Sequence, residues 1–148
     1  MIRAASEDIG LADPAAQGIC LQAWETYERL GSPEGELALA NALVYLALAP
    51  KSNAAYMAYG AARELARKTG SEPPPKHILN APTRLMKDQG YGKGYAYDHD
   101  AEDGFSGQNY FPDGIRRPVL YQPVERGHER ELKKRLEWFA NLRSRRNT

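Results

Sequence analysis

Leu37-Ala38-Leu39-Ala40-Asn41-Ala42-Leu43-Val44-Tyr45-Leu46-Ala47-Leu48-Ala49 decides the fold class. Asn41 is the one interruption in an otherwise apolar, helix-favouring run. Ser32-Pro33 opens it, Glu34 and Glu36 suit the positive N-terminal end of a helix, and Pro50 closes it. A helix with no polar face is surrounded by protein, so it is either the centre of a bundle or part of a subunit interface. At thirteen residues it is also too short to cross a bilayer, which needs roughly 20.

The flanking segments read as helices too. Asp13-Pro14 gives an N-cap with proline at the first helical position. Ala16, Ile19, Cys20, Ala23, Trp24, Tyr27 and Leu30 then recur on one face, and Gly31 stops the helix. On the other side Ser52 caps a third helix, rich in alanine with Tyr56 and Tyr59, which runs to Lys68 before Gly70. Turns of one to three residues force these three helices into close, roughly antiparallel contact.

The second half has a different character. Pro73-Pro74-Pro75 is a stiff spacer. A short helix is predicted from Asn80-Ala81-Pro82 through Lys87, stopped by Gly90. Tyr91 to Ile115 has no sustained period and reads as a long ordered loop packed by Tyr91, Tyr95, Tyr97, Phe105, Tyr110 and Phe111, with a short hairpin between 95–97 and 119–121 as an option. A last helix is expected from about Val124 to about Arg143, with Leu132, Leu136, Phe139 and Leu142 on one stripe. The expectation is an all-α bundle of about five helices.

Composition narrows the function. The 148 residues carry 20 Lys+Arg against 19 Asp+Glu, suiting one ordinary domain with its own core. Cys20 is the single cysteine, which excludes an internal disulfide and a Cys-rich metal cluster. Glu7 and Asp8 stand where a signal peptide needs its apolar stretch. Charge is uneven: residues 115–148 hold ten basic and four acidic side chains, a balance of +6 that leaves −5 for the remainder. Such asymmetry marks either a nucleic-acid or acidic-partner surface, or a solvated terminal helix.

Catalytic patterns are missing. Gly90-Tyr91-Gly92-Lys93-Gly94-Tyr95 has glycines and a lysine, but not the spacing or the following hydroxyl of a phosphate loop. Asp98, His99 and Asp100 are adjacent and cannot easily converge on one ion. Cys20 falls among periodic apolar positions, where a small buried hydrophobe is the ordinary role. Ser106 lacks a nucleophile-elbow context. Lys87, Lys93 and the tyrosines around them form a pattern able to hold single-stranded nucleic acid, against the more usual role of such rings in packing.

Several strings carry a resemblance. Ala5-Ser6-Glu7-Asp8-Ile9-Gly10-Leu11-Ala12-Asp13-Pro14, Leu48-Ala49-Pro50-Lys51-Ser52-Asn53-Ala54, Asn80-Ala81-Pro82-Thr83-Arg84-Leu85-Met86-Lys87, the Gly90–Tyr95 block and Asp98-His99-Asp100 follow one another in a set order, as do Tyr121-Gln122-Pro123 and Arg135-Leu136 near the end. Together they resemble the C-terminal region of the replication-associated recombination protein A family. These are MgsA/RarA-type AAA+ ATPases, related to Werner-helicase-interacting ATPases.

The resemblance implies a helical domain similar to the C-terminal oligomerisation domains of clamp loaders. It implies a homotetramer acting at stalled forks in the bacterial cytoplasm, associated with the nucleoid, and in contact with its own AAA+ module, DNA ends and single-stranded-DNA-binding protein. ATP and Mg belong to that AAA+ module, to which no positions here correspond. The chain is therefore expected to begin near the lid boundary, to hold no cofactor and to be no enzyme by itself. Residues 1–12 are expected to end the lid or form a first short helix, and 13–148 to form the oligomerisation domain. Physics and resemblance meet in one expectation: Leu39, Leu43, Tyr45, Leu46, Tyr56 and Tyr59 divide between core and subunit contact. Lys87, Lys93, Arg143 and Arg145 are the expected contacts to DNA, the basis of an alternative reading as a direct DNA- or partner-protein-binding module.

Overall fold

The computed structural model describes residues 1–146, and the regular structure among them is entirely helical. Helix α1 (Ile2–Ala4) runs into a π turn (Ala5–Ile9) and a 3-10 turn (Gly10–Ala12). Then come α2 (Ala16–Leu30), α3 (Glu34–Leu48), α4 (Ala54–Thr69), the short α5 (Arg84–Asp88) and α6 (Glu129–Arg146). The chain divides into two compact units, Met1–Arg63 with Leu120–Leu136, and Glu64–Val119 with the chain from Glu137 onward.

The expected punctuation is present in part in the first unit: α2 has Ala15 at its N-cap, not Asp13, and starts at Ala16 rather than Pro14, while Asp13 forms a turn just before it. Asp13 Oδ1 accepts from the Ala15 amide at 3.1 Å, and α2 starts one residue later. At its other end Gly31 adopts φ +68°, its N–H closing on the Tyr27 carbonyl at 2.8 Å. Ser52 Oγ accepts from the Ala54 amide at 3.2 Å to cap α4, and the Ser52 amide itself donates to the Asp8 carbonyl. Ala5, Ile9, Ala16, Cys20 and Leu46 make the core, with Ile2, Tyr45 and Ala49 packed on it. Cys20 is a buried free thiol, in keeping with its place in the sequence pattern.

Helices α2 and α3 approach closely because α3 turns its small residues inward. Gly35 and Ala42 are buried with Leu46, and a Cβ on Gly35 would lie 2.8 Å from the Tyr27 Cα. The chain returns to this unit at 120–136. There the His128 amide donates to the Ala12 carbonyl at 2.8 Å. Gly127, at φ +53°, lies so close that a Cβ would stand 2.1 Å from that same carbonyl oxygen.

The second unit combines backbone turn bonds, such as that from the Gly92 amide to the Lys76 carbonyl, with side-chain contacts. Thr83 Oγ1 caps α5 through the Met86 amide at 3.3 Å. Phe105 packs on Phe139 with ring centroids 4.8 Å apart, and Arg146 pairs with Asp103 at 2.6 Å.

Three further boundaries differ from the sequence expectation. Residues 95–97 and 119–121 form no hairpin, because no strand occurs among the described residues. The backbone there is satisfied otherwise: Gln108 spans the first segment, accepting from the Ala96 amide at 3.0 Å and donating to the Gly94 carbonyl at 2.7 Å. Helix α5 starts at Arg84 rather than near Asn80, since Thr83 supplies the cap. Helix α6 starts at Glu129 rather than near Val124, because Gly127 turns the backbone and the Val124 amide bonds back to the Glu129 carboxylate at 2.8 Å.

Candidate functional site

Helix α3 buries Leu46 but turns four other large aliphatic side chains away from the core. Leu37 is 67% exposed, Leu43 60%, Val44 58% and Leu48 82%. Leu37, Val44 and Leu48 fall at the i, i+7, i+11 spacing of one helical face, with Asn41 between them. Single exposed hydrophobes need no explanation, but several on one short helix form a patch of the kind that monomers rarely present to water.

Beside this face lies a cavity of about 410 Å³ lined by Asp13, Asn41, Val44, Tyr45, Leu48, Ala49 and Pro50. Its polar part is already organised. Tyr45 donates its hydroxyl to Asp13 Oδ2 at 2.6 Å, and this bond, with burial, raises the phenol above its ordinary value. Lys51 donates to the Leu46 and Ala49 carbonyls, which α3 leaves unpaired at its C-terminus. What the site offers an incoming group is therefore mainly aliphatic surface.

Of the six residues expected to be divided between core and contact, Leu46 is buried, Leu39 and Tyr45 are half-buried, and Leu43, Tyr56 and Tyr59 are exposed. The first four sit on α3 and the tyrosines on α4, where Arg63 lies over the Tyr59 ring at 5.7 Å. Leu37, Val44 and Leu48 were missed individually. The signal that picks them out is the row of small residues Gly35, Ala38 and Ala42, which marks the inward side and so leaves the opposite side outward.

The four expected DNA contacts differ among themselves. Lys87 and Lys93 are exposed, on α5 and just after it, and Arg145 is exposed on α6. Arg143 is half-buried, with its guanidinium 5.0 Å from the centre of the Phe105 ring. Its Nε has no hydrogen-bond partner among the described residues. Burial and the nearby Arg117 push its guanidinium below the ordinary value. Arg146 approaches the same ring at 5.9 Å. Structurally Arg143 is a packing residue, whereas the lysines and Arg145 are free to meet a polyanion.

Sequence reasoning passed over Glu129, which is fully buried. Its carboxylate accepts from Ser52 Oγ, Tyr121 Oη and the Val124 amide, each at 2.8 Å. No cation is among these partners. A glutamate in the basic stretch looks solvated on paper, and its burial depends on the chain returning to Ser52. Among the described residues no cluster of His, Cys, Asp or Glu is able to hold a metal, and no helix is long and apolar enough to cross a membrane.

Known proteins are similar to this sequence over most or all of its length. The family model described as MgsA AAA+ ATPase C terminal matches residues 1–140. The replication-associated recombination protein A of Coxiella burnetii is 50% identical, the match taking in 100% of this chain and 34% of that protein. That of Escherichia coli K12 is 47% identical over 92% of this chain and 31% of its own length. ATPase WRNIP1 of Dictyostelium discoideum is 41% identical over 82% of this chain and 14% of its own. The chain thus spans about a third of the length of the bacterial relatives.

Proposed function

The chain belongs to the MgsA AAA+ ATPase C-terminal family, and from that premise we propose that it is the assembly domain of a AAA+ ATPase working in replication-coupled recombination and repair at stalled forks. One observation carries the assembly role: the outward aliphatic face of α3, with Leu37, Leu43, Val44 and Leu48 all more than half exposed. Covering apolar surface releases about 25 cal/mol per Å² removed from water. The occupant is other copies of this chain, forming a homotetramer. Clustering of this kind raises the local concentration of linked ATPase modules on one DNA without any new contact to DNA. ATP, Mg and hydrolysis are assigned to the AAA+ module, so an ATPase assay on the 148-residue chain should be blank.

Multi-angle light scattering at micromolar concentration tests this. The expected mass is a multiple of the 16.5 kDa chain, and Leu48→Asp with Val44→Asp should return it to one chain. A wild-type monomer overturns the assembly role.

A second reading, that the chain itself contacts DNA or its partner proteins (DNA ends and single-stranded-DNA-binding protein among them), is favoured by the free cations Lys87, Lys93 and Arg145. It is compatible with the first.

A further inference from the structure

The second unit contains a cavity of about 620 Å³ that assembly through α3 does not use. His77, Ile78, Leu79, Asn80, Ala81, Gly92, Tyr95 and Tyr110 line it. Its volume lies within the range of about 300–1,000 Å³ usual for small-molecule sites. Three of the lining residues carry aromatic rings, and those of His77 and Tyr110 are 6.0 Å apart, tilted by 35°. Tyr95 is 53% exposed and Tyr110 44%, so both leave much of their surface to an occupant.

The cavity is braced rather than loose. The Gly92 amide donates to the Lys76 carbonyl at 2.8 Å and the Tyr91 amide to the Met86 carbonyl at 3.1 Å. Gln108 clamps the backbone on either side of Tyr95, through Gly94 and Ala96. Tyr110 Oη lies 3.3 Å from Ser106 Oγ. The backbone beside Tyr95 and the hydroxyl of Tyr110 are therefore anchored, which lowers the ordering a ligand must impose.

Polar features favour a heterocycle over a plain hydrocarbon. Asn80 brings an amide that both donates and accepts. His77 adds a ring to the wall, its Nε2 being shut off from water and so not offered to an occupant. No Asp or Glu lines the cavity, while Lys76 and Lys93 adjoin the lining residues His77 and Gly92 in the chain. Lys76 Nζ donates to the Gln89 carbonyl, which leaves its charge unneutralised. Rings for stacking, an amide for a base edge and cations for the backbone are the three elements by which proteins hold unpaired bases.

We infer that this cavity takes an unpaired base of single-stranded DNA, stacked against Tyr95 and Tyr110, with Lys76 and Lys93 on the adjoining phosphates. The inference rests on the second reading above, that the chain touches DNA, and is independent of assembly. It turns a sequence-indifferent basic surface into a site that distinguishes single strands and frayed ends from intact duplex, where every base is stacked and paired.

Fluorescence anisotropy with a fluorescein-labelled oligothymidylate 12-mer, an abasic 12-mer and a duplex of the same length tests it, using the full 148-residue chain at one fixed salt. The base-bearing single strand should bind roughly five- to a hundredfold tighter than the abasic strand or the duplex. Tyr95→Ala should abolish that preference while retaining the abasic affinity, and Tyr95→Phe, which still stacks, should keep it. Lys93→Gln should weaken both single strands alike. Equal affinity for base-bearing and abasic strands, equal affinity for the duplex, or an unaltered preference in Tyr95→Ala overturns the inference and leaves DNA contact standing. Displacement by equimolar thymidine monophosphate assigns the cavity to a free nucleotide and overturns it as well. Absence of binding to every oligonucleotide overturns the second reading together with the inference.

Discussion

Ser52 Oγ and Glu129 Oε2 stand 2.8 Å apart, joined across 77 positions of sequence in a buried site. With Tyr121 and the Val124 amide, Ser52 surrounds a carboxylate of which no surface is exposed. Hydrogen bonds to a charged group are worth roughly 1.5–3 kcal/mol each, and a donor left buried without a partner adds a penalty of its own. Glu129→Ala should lower the unfolding free energy by about 3–5 kcal/mol in urea titrations, and Ser52→Ala by about 1–2 kcal/mol. A Glu129→Ala effect within about 0.5 kcal/mol, the range of ordinary surface substitutions, would contradict this role.

Two glycines should respond in opposite directions to alanine. Gly127 has φ +53° and no room for a Cβ beside the Ala12 carbonyl, whereas Gly18 is helical with nothing within 4 Å. Gly127→Ala should destabilise by more than about 2 kcal/mol, from strain and displacement of the returning chain. Gly18→Ala should stabilise α2 by roughly 0.5–1 kcal/mol. Paired chemical denaturation curves read both.

Alkali should loosen the first unit. Burial, and then the bond to Glu129, raise the Tyr121 phenol well above its ordinary value of 10.0. The folded chain thus holds this proton more tightly than the unfolded chain, so the stabilisation is full below the unfolded value and declines as pH rises beyond it. The urea midpoint should fall as pH is raised above about 10, and Tyr121→Phe, which has no proton to lose, should flatten part of that fall. An identical pH profile in Tyr121→Phe would refute the linkage.

If copies cover the aliphatic face of α3, folding and association are coupled by mass action. The thermal midpoint of the wild-type chain should then rise with protein concentration. Leu48→Asp, at a side chain 82% exposed, should leave the helical content unchanged and make the midpoint independent of concentration. A concentration-independent midpoint in the wild type argues against self-association.

The cations should separate by role in salt titrations with single-stranded DNA. Removing charge at Lys87, Lys93 or Arg145 should reduce the slope of log affinity against log salt by about 0.7 for each phosphate no longer neutralised. Arg143, packed on Phe105, should instead cost stability when changed to Gln. A slope unchanged by the three exposed substitutions would remove them from the DNA surface.

Much of the helical part was legible in the sequence because its signals are local. The Asp13 turn before α2, the Gly31 stop and the Ser52 bond to the Ala54 amide each depend on neighbours a few residues away. The all-apolar character of α3 was equally plain, but the helix is not the enclosed centre of a bundle: Leu37, Leu43, Val44 and Leu48 are exposed in the protomer. Periodicity alone does not say which side meets the protomer, and here the small residues of α3 go inward. The failures come from distance. The burial of Glu129 depends on Ser52, and the absence of a hairpin at 95–97 depends on the Gln108 side chain taking the backbone bonds. Likewise the cavity beside Tyr95 joins a 3-10 turn at Lys76–Ile78 to rings that follow much later, a juxtaposition no window of sequence contains.

A bond closed over 77 positions also sets an order of events during synthesis. Ser52 and the Ala12 carbonyl leave the ribosome well before Glu129 and His128 exist to meet them. At elongation rates of about 5–20 residues per second the interval between Ser52 and Glu129 is roughly 4 to 15 seconds. For that time the nascent first three helices present their aliphatic surface without the segment that finishes them, which is a reason for a chaperone to attend the first half of this chain.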